Sequence, residues 1–380
     1  MKCELVPVTH DNLNVLAELA ADPYFNMPRS VRWFDRMLFN DAIEECRDDP
    51  VRGYMLKNDK GEYVGMQCLY PVHLYLGRRK ILAYSVAMLG IKRKYVPWLS
   101  DLMGACAAQE RGCFDFGNAT ANGKAVAVGT QLGTASVGPK EGEYAYMHVD
   151  MASCIMAVFR RLGVRNKRFM SLLWKLLQSV QYVCSVSKSK QRLDCPYVFN
   201  VYDGFSSSKF NDFWHRFLNS NKGLISGREP ATLRHYFDES IKVGTVILIA
   251  AESKSGTILG YVLLRKYRIY ELDNMIKYKI IDICAVGNDI ACLKSLVEYS
   301  IRHAKKNHVG RVEYIGANPY LDKWLTPMLK YRRPLNHPTF TYSCPADKPE
   351  LKHALESRQG WFFGPYDGER CLGHGEYIDL

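Results

Sequence analysis

Apolar positions alternate with polar ones, or run in short blocks, over residues 51–56, 63–76 and 82–91, with turn residues at 58–61 and 77–80 between them. That spacing predicts an antiparallel meander of three strands. Ahead of it, Leu13, Leu16, Leu19 and Ala20 recur at helical spacing behind Asp11, a capping residue type, and residues 30–46 carry a second helical pattern. Beyond the meander the period is helical over 97–111, a short buried strand is expected at 113–116, and a helix over 123–131 closes at Gly133. Residues 144–150 are expected to complete this first sheet.

The second half repeats the order. Helical patterns occupy 210–218 and 231–238, strands fill 246–286 around the turn Ser253-Lys254-Ser255-Gly256, and a helix (289–306), a strand (311–315) and a helix (321–330) follow. Gly65 and Gly260, Gly90 and Gly287, and Gly117 and Gly316 are separated by 195, 197 and 199 residues, a drift small enough to predict a duplicated domain. The division expected is 1–150, a basic helical connector at 151–194, a second domain at 195–344, and a tail at 345–380 whose Trp361-Phe362-Phe363 argues for docking.

Composition narrows the class. With 380 residues and 47% hydrophobic content the chain has room for two ordinary cores. No apolar run approaches the ~20 residues that span a bilayer, and Met1 to Asp11 lacks the apolar stretch of a signal peptide, so a cytoplasmic location is expected. Twelve cysteines are scattered without a CxxC pair or a Cys/His cluster, which reads as free thiols and no metal site. The net charge of +12 points to an anionic partner. Within the connector, Arg160, Arg161, Arg165, Lys167 and Arg168 interleave with Phe159, Leu162, Phe169, Leu172, Leu173 and Trp174. Such a mix suits weak association with an anionic membrane surface, although a helix packed between domains accounts for it with fewer assumptions.

Asn122, Ala125 and Gly133, following the expected strand at 113–116, resemble a segment of the GNAT superfamily of acyl-CoA-dependent acyltransferases: Asn, then Ala at three, Tyr at seven and Gly at eleven. The resemblance implies an α/β (α+β) fold of two GNAT-like domains, each a mixed, mostly antiparallel sheet flanked by helices. It covers most of residues 1–150 and, more loosely through Asn318 and the repeat, the second half. In that fold two neighbouring strands splay, and the amide-bearing pantetheine of acetyl-CoA or another acyl-CoA satisfies the exposed backbone groups. Carried onto this chain, Leu89 and Ile91 line the splayed strand. Lys92, Arg93, Lys94 and Tyr95 precede the helix that faces the pyrophosphate, and Asn122 and Ala125 complete the cofactor set.

The chain also departs from the family pattern. The phosphate loop, Arg/Gln-x-x-Gly-x-Gly/Ala in the family, is here Lys94-Tyr95-Val96-Pro97-Trp98-Leu99, where Pro97 lacks an N–H. In the second half the corresponding stretch is Gly287-Asn288-Asp289-Ile290-Ala291, and Gly129 replaces the Tyr that protonates the departing thiolate. Asp282, in a strand pattern, is a candidate general base for the acceptor amine, with an ion-paired strand residue as the simpler reading. Tyr144 is a second catalytic candidate, with Asp367 and Glu369 behind it. His73, His148 and His303 are isolated and read as packing or surface residues.

The leading expectation is an N- or O-acyltransferase, of acetyltransferase type, acting on a small-molecule acceptor such as an amino sugar of surface polysaccharide. A Fem-type ligase that takes its acyl group from aminoacyl-tRNA also pairs two such domains, and the positive charge suits tRNA. A non-catalytic binding protein built on the same fold is the third reading.

Overall fold

The computed structural model describes residues 2–27, 29–40, 43, 51–113, 117–121, 127, 130–131, 135–137, 142–164, 166–186, 196–269, 275–315, 319–335, 339–343, 348–356, 361–362 and 366. The chain begins with β1 (Cys3–Pro7), α1 (Leu13–Ala21), α2 (Val31–Leu38), β2 (Gly53–Asn58), β3 (Tyr63–Leu76) and β4 (Arg79–Ile91). Next come α3 (Leu99–Cys113), β5 (Gly117–Ala121), β6 (Ala135–Val137), β7 (Gly142–His148), α4 (Met151–Arg161) and α5 (Lys167–Val186). The second half holds β8 (Val198–Tyr202), α6 (Ser208–Ser220), β9 (Leu224–Ser226), α7 (Pro230–Lys242), β10 (Val246–Glu252), β11 (Ile258–Ile269) and β12 (Met275–Ala285). It closes with α8 (Ile290–Lys306), β13 (Arg311–Ile315), α9 (Pro319–Leu325), β14 (Tyr331–Leu335), β15 (Thr339–Ser343), α10 (Pro349–Glu356) and β16 (Trp361–Phe362).

These elements form two compact units, each assembled from separated stretches of chain. Unit 1 takes residues 1–141, 221–238 and 336–377, and unit 2 takes 142–220, 239–335 and 378–380. The unit 1 sheet runs β1-β2-β3-β4-β5-β15-β6, with β9 paired to β3 and β16 to β9. That of unit 2 runs β14-β7-β13-β12-β11-β10-β8. Both are mixed and mostly antiparallel: among the described residues only β4–β5, β12–β13 and β9–β16 are parallel.

Residues 144–150 do not complete the first sheet. Strand β7 instead lies antiparallel between β13 and β14 of unit 2, and β15 takes the place beside β5. Alternation defines a strand's faces but not its partner, because any sheet edge offers the same ladder of N–H and C=O groups. Three other expectations shift. Cys113 ends α3 rather than opening a strand, the strand that follows being β5. Gly90 lies within β4, whereas Gly287 lies in the turn after β12, so they are not equivalent. The helix expected over 321–330 stops at Leu325, and a 3-10 turn, Thr326–Met328, leads into β14.

Local chemistry explains the elements. Ser30 caps α2, its hydroxyl accepting from Trp33 N at 3.1 Å, and the buried Trp33, Phe34, Met37 and Leu38 form its inner face. Along α8 the buried Cys292, Leu293, Leu296, Val297, Ser300 and Ala304 keep the 3.6-residue period, and every residue of β10 is buried. Gly53, at φ +112°, begins β2 opposite Cys68, and a Cβ there would lie 2.0 Å from the carbonyl oxygen of Gln67. From the tail, Leu351 and Ala354 of α10 join a core with Leu74, Ile81, Ala83 and Leu224. Buried Tyr366 donates to the Gly227 carbonyl at 3.0 Å, and the Arg228 guanidinium lies 4.4 Å from the centre of its ring.

Candidate functional site

Each unit contains the same opening. In unit 1, β4 and β5 pair only through Tyr84–Gly117, Ser85–Asn118 and Val86–Ala119. Residues 87–91 of β4 then continue with β3 on one edge and no partner strand on the other among the described residues. Just there the β3–β4 register shifts between Met66 and Cys68, so Met88 and Leu89 both stand opposite Gln67, and Met88 sits at φ +54°. In unit 2, β12 and β13 pair from Lys277–Arg311 to Ile280–Tyr314, the β11–β12 register shifts at Ile281, and residues 282–285 continue against β11 with no partner strand on their other edge among the described residues. Equivalent pairs repeat at nearly constant separation: Gly65–Ile91 with Gly260–Ala285, and Cys68–Ala87 with Leu263–Asp282. A bare strand edge is a row of backbone donors and acceptors that an amide-bearing ligand can satisfy.

The two openings differ in what surrounds them. After β4, Leu89 and Ile91 are half-buried, Arg93 and Lys94 are exposed, and Tyr95 is buried with its hydroxyl accepting from Asn58 Nδ2 at 2.8 Å. The Lys92 ammonium contacts Asp22 Oδ2 at 2.8 Å, a bond that holds the Asp22 carboxyl below the usual carboxylate range. Arg93 donates its backbone N–H to the Tyr24 hydroxyl at 2.8 Å. A 3-10 turn, Arg93–Trp98, carries Pro97 and delivers the chain to α3 at Leu99. Gln67 and Ser85 are buried beside this opening, and their side-chain oxygens have no hydrogen-bond partner among the described residues. Neither was singled out from sequence, though a polar residue inside an apolar strand run was the available signal.

In unit 2, Asp282 is fully buried on β12. Its Oδ2 accepts from the Tyr261 hydroxyl at 2.7 Å, and Tyr261 is packed against Phe205, Phe210 and Phe213. Nearby, the Tyr314 hydroxyl donates to Asp322 Oδ1 at 2.9 Å; burial first, then Asp322 and Asp282, pushes its pKa well above the ordinary tyrosine value. Past β12 the N-terminus of α8 is occupied by its own cap, Asp289, which accepts from Ala291 N and from the Tyr197 hydroxyl, each at 2.9 Å. Tyr144 lies on β7, opposite Ile315 and Arg333. Thus the two catalytic candidates, Asp282 and Tyr144, stand in unit 2, whereas Leu89, Ile91, Lys92, Arg93, Lys94 and Tyr95 stand in unit 1. Asn122, Ala125, Gly129, Gly133, Gly316, Asn318, Asp367 and Glu369 lie outside the described residues.

No protein-family model and no curated protein matches the sequence. Solved structures do match, over 90% of this chain. They include a GCN5-related N-acetyltransferase from Anabaena variabilis, at TM-score 0.55 and 10% identity with 73% of that chain covered. A probable N-acyltransferase from Enterococcus faecalis matches at 0.54 and 12%, with 73% covered. The N-myristoyltransferase of Saccharomyces cerevisiae, solved with bound myristoyl-CoA, matches at 0.53 and 10%, with 78% covered. The fold is that of the GCN5-related N-acetyltransferases.

The three histidines differ within this GNAT-type framework. His148 Nδ1 lies 3.3 Å from Cys154 Sγ, where burial lowers the imidazole pKa and raises that of the thiol to about 11, the opposite of an activated thiolate–imidazolium pair. His303 packs its ring against Tyr278, and burial holds its pKa below the ordinary value. His73 is buried in unit 1, with Nδ1 3.2 Å from Glu229 Oε1, an oxygen that also accepts from the Tyr75 hydroxyl. Burial by itself would raise the Glu229 pKa, but the bonds from His73 and Tyr75 outweigh it and hold the carboxyl below its usual value.

A carboxyl with a depressed folded pKa contributes stability that is present above its unfolded value of ~4.3 and is lost as pH falls through the folded value. Glu229→Gln is therefore expected to cost about 2 kcal/mol in urea unfolding at neutral pH. The difference from the parent should shrink steadily below about pH 4. A constant difference down to pH ~3 would mean that the charge contributes nothing.

Proposed function

We propose that the chain is an acyl-CoA-dependent N- or O-acyltransferase of acetyltransferase type, transferring to an amine or hydroxyl of a small acceptor such as an amino sugar, with the cofactor held in unit 1. One observation carries this reading: among the described residues, 87–91 of β4 leave a bare strand edge beside a bulge, and they run directly into three basic residues. On this reading pantetheine lies along Leu89 and Ile91 as an added strand. Lys92, Arg93 and Lys94 face the phosphates and Tyr95 fixes the turn. Unit 2 is the poorer seat, because the Asp289 carboxylate repels a pyrophosphate at the start of α8.

The reaction joins the acceptor nitrogen or oxygen to the acyl carbon, breaks the thioester C–S bond, and needs one proton taken from the acceptor and one given to the thiolate. Asp282 and Tyr144, both of unit 2, are the carboxylate and the hydroxyl proposed for these two roles within that unit.

Thermal unfolding with acetyl-CoA and with longer acyl-CoAs tests the seat. A ligand at a hundredfold its Kd stabilises by about 2.7 kcal/mol, and no shift with any acyl-CoA at millimolar concentration would sink the reading. Asp282→Asn is expected to lower kcat by about 100-fold or more with acyl-CoA affinity unchanged. An unchanged kcat would leave Asp282 as a packing residue. The aminoacyl-tRNA reading draws on a separate fact, the net charge of +12, which suits a polyanion. Its signature is tRNA binding that weakens steeply with salt.

A further inference from the structure

The hairpin of α4 and α5 has an inner and an outer apolar face. Inward, Ala152, Met156, Ala157 and Met170 are buried, Asp150 caps α4 through Ser153 N at 3.2 Å, and the Trp174 ring lies 5.7 Å from His308. Outward, Met151 and Val158 recur on one stripe of α4, which its C-terminal cap Leu162 continues, and Phe169, Leu172 and Leu176 recur on one stripe of α5. All six are exposed, Leu162 by 74%, Leu172 by 68% and Leu176 by 58%. A surface helix ordinarily turns its single apolar stripe toward the core. Here each helix keeps a second one facing solvent.

Charge completes the picture. Residues 151–193 contain nine Lys or Arg and no Asp or Glu, in a chain that averages about one acidic residue in ten. Of these basic residues Arg160, Arg161, Arg168 and Lys175 are exposed on the hairpin. Among the described residues no helix is long and apolar enough to cross a membrane.

We propose that the α4–α5 hairpin docks the protein flat on an anionic lipid surface, its outer stripe entering the acyl boundary while the flanking basic residues meet the headgroups. A lipid surface fits better than a second copy of this chain, which would bring two strongly positive faces together. It fits better than nucleic acid, because the stripe is mainly aliphatic and offers few rings for stacking. The inference stands apart from the acyl-transfer reading, since vesicle binding requires no acyl-CoA.

Flotation of the full chain with phosphatidylcholine vesicles, with and without about 30% phosphatidylserine, tests it. Binding is expected to be at least tenfold tighter to the anionic vesicles and to weaken with salt, since each basic residue near the surface contributes about fivefold. Leu172→Ser with Leu176→Ser should remove most binding without lowering the melting temperature, because both side chains are exposed. Arg168→Glu with Lys175→Glu should remove the preference for anionic lipid. Equal binding to neutral vesicles, no binding, or full binding by the Leu172→Ser/Leu176→Ser variant would overturn the proposal. So would a dimer in lipid-free sedimentation that those two substitutions dissolve.

Discussion

Gly53→Ala is expected to unfold unit 1. At φ +112° an alanine carries backbone strain of about 1–3 kcal/mol, and its Cβ would meet the Gln67 carbonyl oxygen at 2.0 Å and Cys68 Cα at 2.8 Å. Both are backbone atoms inside a sheet and cannot swing aside. Relieving the overlap requires β2 and β3 to separate where Gln67 faces the β4 bulge. A total of about 4 kcal/mol or more is comparable with the 5–15 kcal/mol that holds a typical domain. Gly77→Ala is the control: it has φ +60° and nothing within 4 Å of the added atom, so a loss of about 1 kcal/mol is expected. Urea unfolding of both variants decides the matter, and equal midpoints would show that the close approach at Gly53 is relieved cheaply.

Reversing Lys92, Arg93 and Lys94 together to glutamate is expected to weaken acyl-CoA binding at least about 100-fold. Two unit charges 4 Å apart interact by about 1 kcal/mol in water and more near a protein surface, and three reversals change the sign of each such term. Asp22→Asn should act in the opposite direction, since it releases Lys92 from its present partner at 2.8 Å. Reversal of Arg78, Arg79 and Lys80 changes the net charge equally from the β3–β4 turn and the opposite end of β4 and should leave affinity nearly intact. Isothermal titration of the three variants reads this directly. Equal losses from both triple reversals would reduce the role of Lys92 to Lys94 to non-specific attraction.

Sequence alone gave the elements whose pattern is local. Tyr63–Leu76 and Arg311–Ile315 were read with the bounds the structure has, because each is a run of alternating or wholly apolar residues between turn formers. The family resemblance puts the splay on residues 82–91; in the pairing registers β4 loses β5 after Val86, and β12 loses β13 after Ile280, a second edge that the resemblance did not assign. Partners were less legible. The pattern of Gly142–His148 identifies a strand, but its mates Arg311–Ile315 and Tyr331–Leu335 come more than 160 residues later, a separation at which alternation carries no information. Gly90 and Gly287 looked like repeats because glycines are frequent; only the register shows that Ile91 corresponds to Ala285. The Asp22 and Tyr24 contacts were hidden for the same reason, since two turns some 70 residues apart show no shared signal in the chain.

The exchange of β7 and β15 between the two halves sets an order on how the protein can be made. When the ribosome has released β5, the strand that will flank it still lies 218 residues ahead, from Ala121 to Thr339. At about 5–20 residues per second that interval lasts on the order of ten to forty seconds. Throughout it β5 has one bare edge in a growing chain, and β7, already synthesised, could pair there instead. Correct folding therefore requires the β5 edge to stay open to β15 while β13 and β14 emerge to take β7.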